Sequence, residues 1–184
     1  LCCAPVITIG PAVSALYTIT MREARHEGGY IFKPFFKAFK NNFKQAFLLS
    51  ILYLIIGASF VFGVKFWIEK PEFSTVNQVI LVITGVFAVI FIFSLLYVFA
   101  LIARFDNTIF KSVKNAVMLA VFNLRETFLL TLIHVIVIVL MIFTKGIWIF
   151  MMVGGFSVCA YINSLLFIRV FRQYEKIEGG NHDD

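Results

Sequence analysis

Charge is what this sequence has least of. Only 14% of its 184 residues are Asp, Glu, Lys or Arg, where a soluble domain carries about 25%. With 61% of the chain hydrophobic, a fold of this size cannot bury its apolar surface and still present a wet exterior. That excludes an ordinary water-soluble domain and points to a bilayer as the solvent. Cysteine is scarce too. Cys2 and Cys3 are adjacent and Cys159 stands in an apolar run, so a disulfide framework and a zinc site are excluded and small apolar fillers remain. There is no Gly-rich phosphate loop, no nucleophile elbow and no pair of catalytic carboxylates. We therefore assign no catalytic residue, no cofactor and no metal, and expect no enzyme. The opening run "LCCAPVITIG" has no basic leader and does not read as a signal peptide. We expect it to be the end of a truncated span.

What the sequence has is long apolar runs. They cover 46–64, 76–103, 127–144 and 146–168. A helix rises about 1.5 Å per residue and the hydrocarbon layer is about 30 Å thick, so about 20 residues cross it. The third run is short, and Phe122 and Leu124 are expected to lengthen it. Helices are the form lipid permits, because open strand edges find no partner there. Upstream, Pro11 suits a first helical turn, so a helix is expected from there to about Arg25, stopped by Gly28 and Gly29.

Thirteen of the sixteen Lys and Arg fall in 22–44, 104–125 and 169–176; Lys65, Lys70 and Lys145 occupy the alternate connections. The positive-inside rule places the three basic segments, including the C-terminus, in the cytoplasm. We expect a multi-pass protein of the inner (plasma) membrane.

The segment "YIFKPFFKAFKNNFKQAF" at 30–47 is aromatic and basic together. On a helix starting at Pro34, Phe35, Phe36, Phe39 and Phe43 form one face and Lys33, Lys37, Lys40 and Lys44 another. Single-stranded nucleic-acid binders share this composition. The segment, however, runs straight into a charge-free span, so a nucleic-acid partner is set aside. An interfacial helix on the inner leaflet fits, with Phe in the acyl boundary and Lys against anionic headgroups. Packing of the Phe face on neighbouring spans is the plainer alternative.

"NFKQAFLLSILY" at 42–53 resembles "NLRETFLLTLIH" at 123–134, and "SLLYV" at 94–98 resembles "SLLFI" at 164–168. These matches predict an all-α polytopic membrane bundle with two parallel repeats, each an amphipathic helix followed by a transmembrane hairpin. Repeat one would cover 30–103 and repeat two 109–168. Residues 1–27 would be a truncated span and helix, and 169–184 a cytoplasmic tail, in a single membrane domain.

His134 stands inside a span. It is either a functional group, the default for an intramembrane ionisable residue, or a neutral packing histidine. Asn163 and Ser164 are placed to bond across helices, and Gly57, Gly63, Gly154 and Gly155 to allow close helix approach. In "ARFDN" at 103–107, Arg104 and Asp106 pair with each other, or Asp106 or Asn107 caps the next helix, or the cluster holds a partner. A docking surface would run from Lys33 to Lys44 and from Arg104 to Arg125. An enzyme acting on lipid or glycan would need His134, Arg104 and Glu126 to converge. A transport path would run near Tyr53, His134 and Asn163, between the repeats.

"PVITIGPAVSALYTIT" at 5–20, "FFKAFKNNFKQA" at 35–46, and "YVFALIARFDN" at 97–107 followed by "KNAV" at 114–117 resemble the YesL-like family of bacterial membrane proteins. The resemblance extends over nearly the whole chain, although family members carry more residues before the Pro-Val element. It implies a multi-span protein without an assigned reaction, of a kind commonly encoded beside sugar-uptake ABC transporters and carbohydrate-degrading enzymes. The role it implies is accessory to oligosaccharide import or sensing, with ABC importer permease or ATPase subunits as partners.

Overall fold

The computed structural model describes residues 4–27, 29–69, 75–105, 107–143 and 155–179. Among them are six helices and no strand: α1 (Ala4–Ala24), α2 (Phe32–Ile68), α3 (Thr75–Arg104), α4 (Ile109–Phe122), α5 (Leu124–Phe143) and α6 (Phe156–Gly179). The all-α expectation holds. Helices α2 and α3 are long and apolar enough to cross a membrane, and α4 with α5 would make a third span bent by 97°. Only 11% and 6% of the spanning windows of α2 and α3 are buried inside the protein. Phe62 is 71% exposed and Val82 65%. In water such a surface would aggregate; against acyl chains it is the expected outer face. The chain is a membrane protein in contact with lipid.

Sequence expectations for α1, for the start of α2 and for the third apolar run need correction. Helix α1 does not start at Pro11 but runs through it from Ala4. The missing Pro11 N–H costs one helical bond, which membrane helices tolerate where neighbouring groups serve the freed carbonyl. Nor does α1 wait for Gly28 and Gly29 to stop it. Glu27 N–H donates to the Arg22 carbonyl and His26 N–H to the Glu23 carbonyl, with His26 at φ +60°. This is a Schellman turn with His26 in the position glycine usually fills; Gly28 lies outside the described residues. The Phe/Lys segment is not a separate helix. It is the first part of α2, which continues unbroken for 37 residues, about 55 Å. Finally, Leu124 extends the third apolar run as expected, but Phe122 is not on the same continuous helix. It ends α4, and α5 begins at Leu124.

The break at Asn123 has an identifiable construction. In an unbroken helix the Ala120 carbonyl would accept from Leu124 N–H. Here the Thr127 hydroxyl serves it at 3.0 Å and shares its proton with the Asn123 carbonyl at 2.8 Å. The buried Tyr97 hydroxyl lies 2.9 Å from that of Thr127 and fixes the joint to α3. The repeat alignment places Ala46 where Thr127 stands. Alanine has no hydroxyl to serve a freed carbonyl, and α2 runs through this position unbroken. The burial pattern of the two segments agrees as well: Ala46 and Leu49 are buried, and so are Thr127 and Leu130.

The core lies toward the end of the bundle where α1 and α3 finish and α2 and α4 begin. Met21, Leu49, Tyr97, Leu101, Phe167 and Phe171 are its large members. Helix α1 packs on α2, α3 and α6, and α4 folds against α3. The close approach of α1 to α2 rests on Gly10, where an added Cβ would stand 2.9 Å from both the Ala46 carbonyl oxygen and the Phe99 ring and would collide with the Ser50 hydroxyl. Gly63 has nothing within 4 Å and Gly57 makes only ordinary contact with Phe91, so neither mediates close approach. Gly154 lies outside the described residues. Helix α6 continues past 168 as far as Gly179, and Val170 and Phe171 belong to the core, so the expected tail begins later than residue 169.

Two predictions follow from this packing. G10A should lower the thermal midpoint in detergent, since overpacking costs about 1–3 kcal/mol; an unchanged midpoint would show that α1 and α2 sit farther apart. T127A should cost about 1–3 kcal/mol, by orphaning a buried carbonyl and the Tyr97 hydroxyl. Combining it with Y97F should cost less than the two changes summed, and strict additivity would sever the Tyr97–Thr127 link.

Candidate functional site

Most polar side chains inside the bundle are occupied in joining helices. Tyr53 and Ser94 lie 3.0 Å apart and tie α2 to α3, with the Tyr53 ring stacked on Phe91. Thr20 and Ser164 are 2.7 Å apart and tie α1 to α6. Asn42 donates to Ser14, and Gln45 donates to the Asn107 carbonyl and toward Ser112. Tyr53 and Ser164 are thus structural members of the bundle.

His134 and Asn163 are arranged differently. Both line an open cavity of about 580 Å³ walled by α1, α5 and α6, with Phe35 of α2 at its side. Its wall is otherwise apolar apart from Tyr17, Ser157 and Cys159. The ring Nδ1 of His134 lies 2.7 Å from the Leu130 carbonyl. A carbonyl only accepts, so that nitrogen donates the proton of this bond. Asn163 is 2% exposed. Its Nδ2 donates to the Tyr17 hydroxyl across 3.5 Å, and its Oδ1 has no partner. Whichever way the amide is turned, one polar end stays unpaired. Tyr53, Arg104 and Glu126 are not on this wall. Of the sequence-derived set of Tyr53, His134 and Asn163, only His134 and Asn163 share this wall, and the triad of His134, Arg104 and Glu126 does not share it.

A comparison of the two similar segments explains why space exists here. His134 aligns with Tyr53 and Ser164 with Ser94. In the first segment the tyrosine reaches the serine and closes the hairpin. In the second segment the histidine bonds back to its own helix and the serine bonds to Thr20, so among the described residues no equivalent clasp joins α5 to α6.

The remaining described candidates divide, with those of α2 and Arg104 at the core end of the bundle and Arg125 beside Phe93 of α3. Lys33, Lys37, Lys40 and Lys44 are all exposed on α2. Phe36 is exposed, whereas Phe35, Phe39 and Phe43 are half-buried, with Phe39 and Phe43 in an edge contact at 5.5 Å. The aromatic face therefore divides between lipid and neighbours. Arg104 is half-buried and Arg125 exposed. Asp106 lies outside the described residues. Helix α4 is capped by Thr108, whose hydroxyl accepts from Lys111 N–H, and not by Asn107. Sequence reasoning missed Tyr17, Thr20, Gln45, Tyr97 and Thr127. The available signal was a hydroxyl or amide inside an apolar run, which lipid makes costly unless it finds a partner.

N163L should unfold in detergent at a temperature no lower than the parent. The change removes an amide with one unpaired end, worth about 1 kcal/mol, and keeps the volume. A midpoint several degrees lower would mean that the amide is fully satisfied.

Residues 1–64 match the family model described as protein of unknown function, DUF624. That match takes in all of α1 described here and most of α2, including Gly10 and the Phe/Lys face. No curated protein and no solved structure matches the chain.

Proposed function

We propose that the chain is a multi-pass inner-membrane protein with no reaction of its own, which assists an ABC-type carbohydrate importer or its sensing. The observation that carries the reading is the segregation of charge along the bundle. Lys33 to Lys44 start α2, Arg104 ends α3, and Lys111 and Lys114 start α4. Gln45 binds the α3–α4 turn, which sets Lys44 beside that turn and carries Lys33, Lys37 and Lys40 progressively beyond it. Lys65 stands at the far end of α2, paired with Glu69 at 3.8 Å. One end is thus a broad cationic platform, and the positive-inside rule assigns it to the cytoplasm, where an importer's ATPase subunits sit. The carbohydrate element rests on the resemblance to the YesL-like family, and the platform supplies the docking surface.

One observation favours a second reading, a stand-alone small-molecule transporter or channel: the cavity holding His134 and Asn163. Tyr53 lies apart from it, so such a path would run beside repeat two. Flux into liposomes containing only this protein would support that reading.

The main proposal makes two expectations. Gentle extraction from the native host should recover permease or ATPase subunits with the wild-type chain, and K33E/K37E/K40E/K44E should lose them. Recovery of the wild type as a lone monomer would count against an importer partner. In intact cells, with the natural cysteines replaced, an impermeant maleimide should label K65C and spare K40C and K114C; the reverse pattern would invert the orientation.

A further inference from the structure

The positive-inside rule does not explain the depth at which the fold places Arg125. Helix α4 starts at the core end and folds back along α3, so the start of α5 lies well up the length of α3. Two contacts fix the level. The Tyr97 hydroxyl lies 2.9 Å from that of Thr127, and Arg125 shares a groove wall with Phe93. Phe93 stands ten residues, about 15 Å, before the charge-free run of α3 ends at Ala103. Its neighbour Ser94 meets Tyr53 at 3.0 Å. Tyr53 in turn stands seven residues, about 10 Å, inside the charge-free run of α2 that starts at Ala46. Both spans therefore set Arg125 about 10–15 Å inside the apolar layer, not at its edge.

Arg125 is exposed at that level. Among the described residues it makes no hydrogen bond and no ion pair. Glu126, next in sequence, is half-buried and is not on the groove wall. Helix anchoring does not account for the position either, because Arg125 lies in the first turn of α5, the end of a helix that disfavours a cation. A charged side chain in hydrocarbon is costly and is normally found paired or beside water.

The groove has a volume of about 520 Å³, and its other walls are Phe93 of α3 and Leu124, Phe128 and Leu129 of α5. Phe128 is 66% exposed and Leu124 61%, so the groove opens on the lipid. A cation beside an apolar groove in a bilayer matches a phospholipid. The guanidinium fork fits phosphate oxygens two at a time, and an acyl chain fits the apolar walls. The long stem of arginine lets its head reach toward the membrane face while its backbone stays deep, and local thinning brings the phosphate to meet it. A protein carboxylate offers the same charge but must itself be carried out of water. A phospholipid brings its anion on an apolar anchor.

We propose that Arg125 and the groove of Phe93, Leu124, Phe128 and Leu129 bind one anionic phospholipid from the leaflet at the core end of the bundle. Its phosphate rests on the guanidinium and an acyl chain lies against the phenylalanine rings. The proposal does not depend on the importer reading above.

The test is thermal unfolding of the full chain in an uncharged detergent, with phosphatidylglycerol added to the micelles. Diacylglycerol supplies the chains without the phosphate. Inorganic phosphate, set against sodium chloride at equal ionic strength, supplies the anion without the chains. A saturable upward shift is expected with phosphatidylglycerol, and neither control should reproduce it. R125Q should weaken the apparent affinity about tenfold. R125K keeps the charge without the fork and should fall between R125Q and the parent. L129W leaves Arg125 in place but fills the groove, and should also weaken binding, which attraction by charge alone would not show. R169Q, exposed and not on the groove wall, should bind as the parent does. No saturable shift with phosphatidylglycerol would leave a protein carboxylate as the partner of Arg125 and overturn the site. An equal shift with either control, equal weakening by R169Q and R125Q, or parental binding by L129W would overturn it too.

Discussion

In a bilayer, burying one apolar side chain against another gains little, because the tails outside are as apolar as leucine. What this bundle depends on is its hydrogen bonds between helices. Tyr53 with Ser94, Tyr97 with Thr127, Thr20 with Ser164 and Asn42 with Ser14 link α1, α2, α3, α5 and α6 to one another. Gln45 adds α4 through the turn that precedes it. Each such bond is worth only about 0.6 kcal/mol on average, so the arrangement rests on their number and on close approach. Gly10 provides the approach, since α1 could not lie against Ala46 with any side chain at that position.

The same constraint explains why two segments of similar sequence differ in shape. A span that bends must find new partners for the carbonyls it frees, since lipid supplies none. Thr127 supplies one at Asn123, with the Tyr97 hydroxyl holding Thr127 in place, and the 97° turn is accommodated there. In α2 the corresponding Ala46 lies beneath Gly10 and is fully buried. A threonine there would crowd α1, so the position that permits a bend in one copy is used for close packing in the other. Once α5 has turned away it meets α6 only lightly, and the space between them and α1 is the cavity that exposes His134.

The apolar runs were legible because membrane thickness dictates their length, and α3 matches its run almost to the residue. Helix junctions were not. The motif "NNFKQAF" in α2 and "FNLRETF" at the α4–α5 joint look alike, and the residue that separates them, Thr127, lies four positions beyond the break. The end of α1 was misjudged because glycine is the usual left-handed residue after a helix, while His26 took that conformation here. His134 and Asn163 stood out individually, as polar groups in greasy surroundings. Their common cavity did not, because it depends on where α5 goes after its turn. The depth of Arg125 was hidden for a related reason: after the basic residues of α4 it reads as one more boundary cation, and only the fold of α4 back along α3 carries it inward.

The unbroken α2 also alters how its first segment meets the membrane. A separate interfacial helix would lie flat, with every Phe in the acyl boundary. A continuous helix of about 55 Å cannot fit within a hydrocarbon layer of about 30 Å, so it must tilt or project. The charge-free part from Ala46 to Val64 is the portion suited to the lipid interior, which leaves Lys33 to Lys44 beyond it. Phe32 and Phe36 remain exposed on this projecting part, while Phe35, Phe39 and Phe43 are partly covered by neighbours. Aromatic side chains that neither enter the core nor reach the acyl interior belong at the headgroup level. The lysines on the same segment then stand at or above the phosphates, where they meet either lipid or a protein docked on the surface.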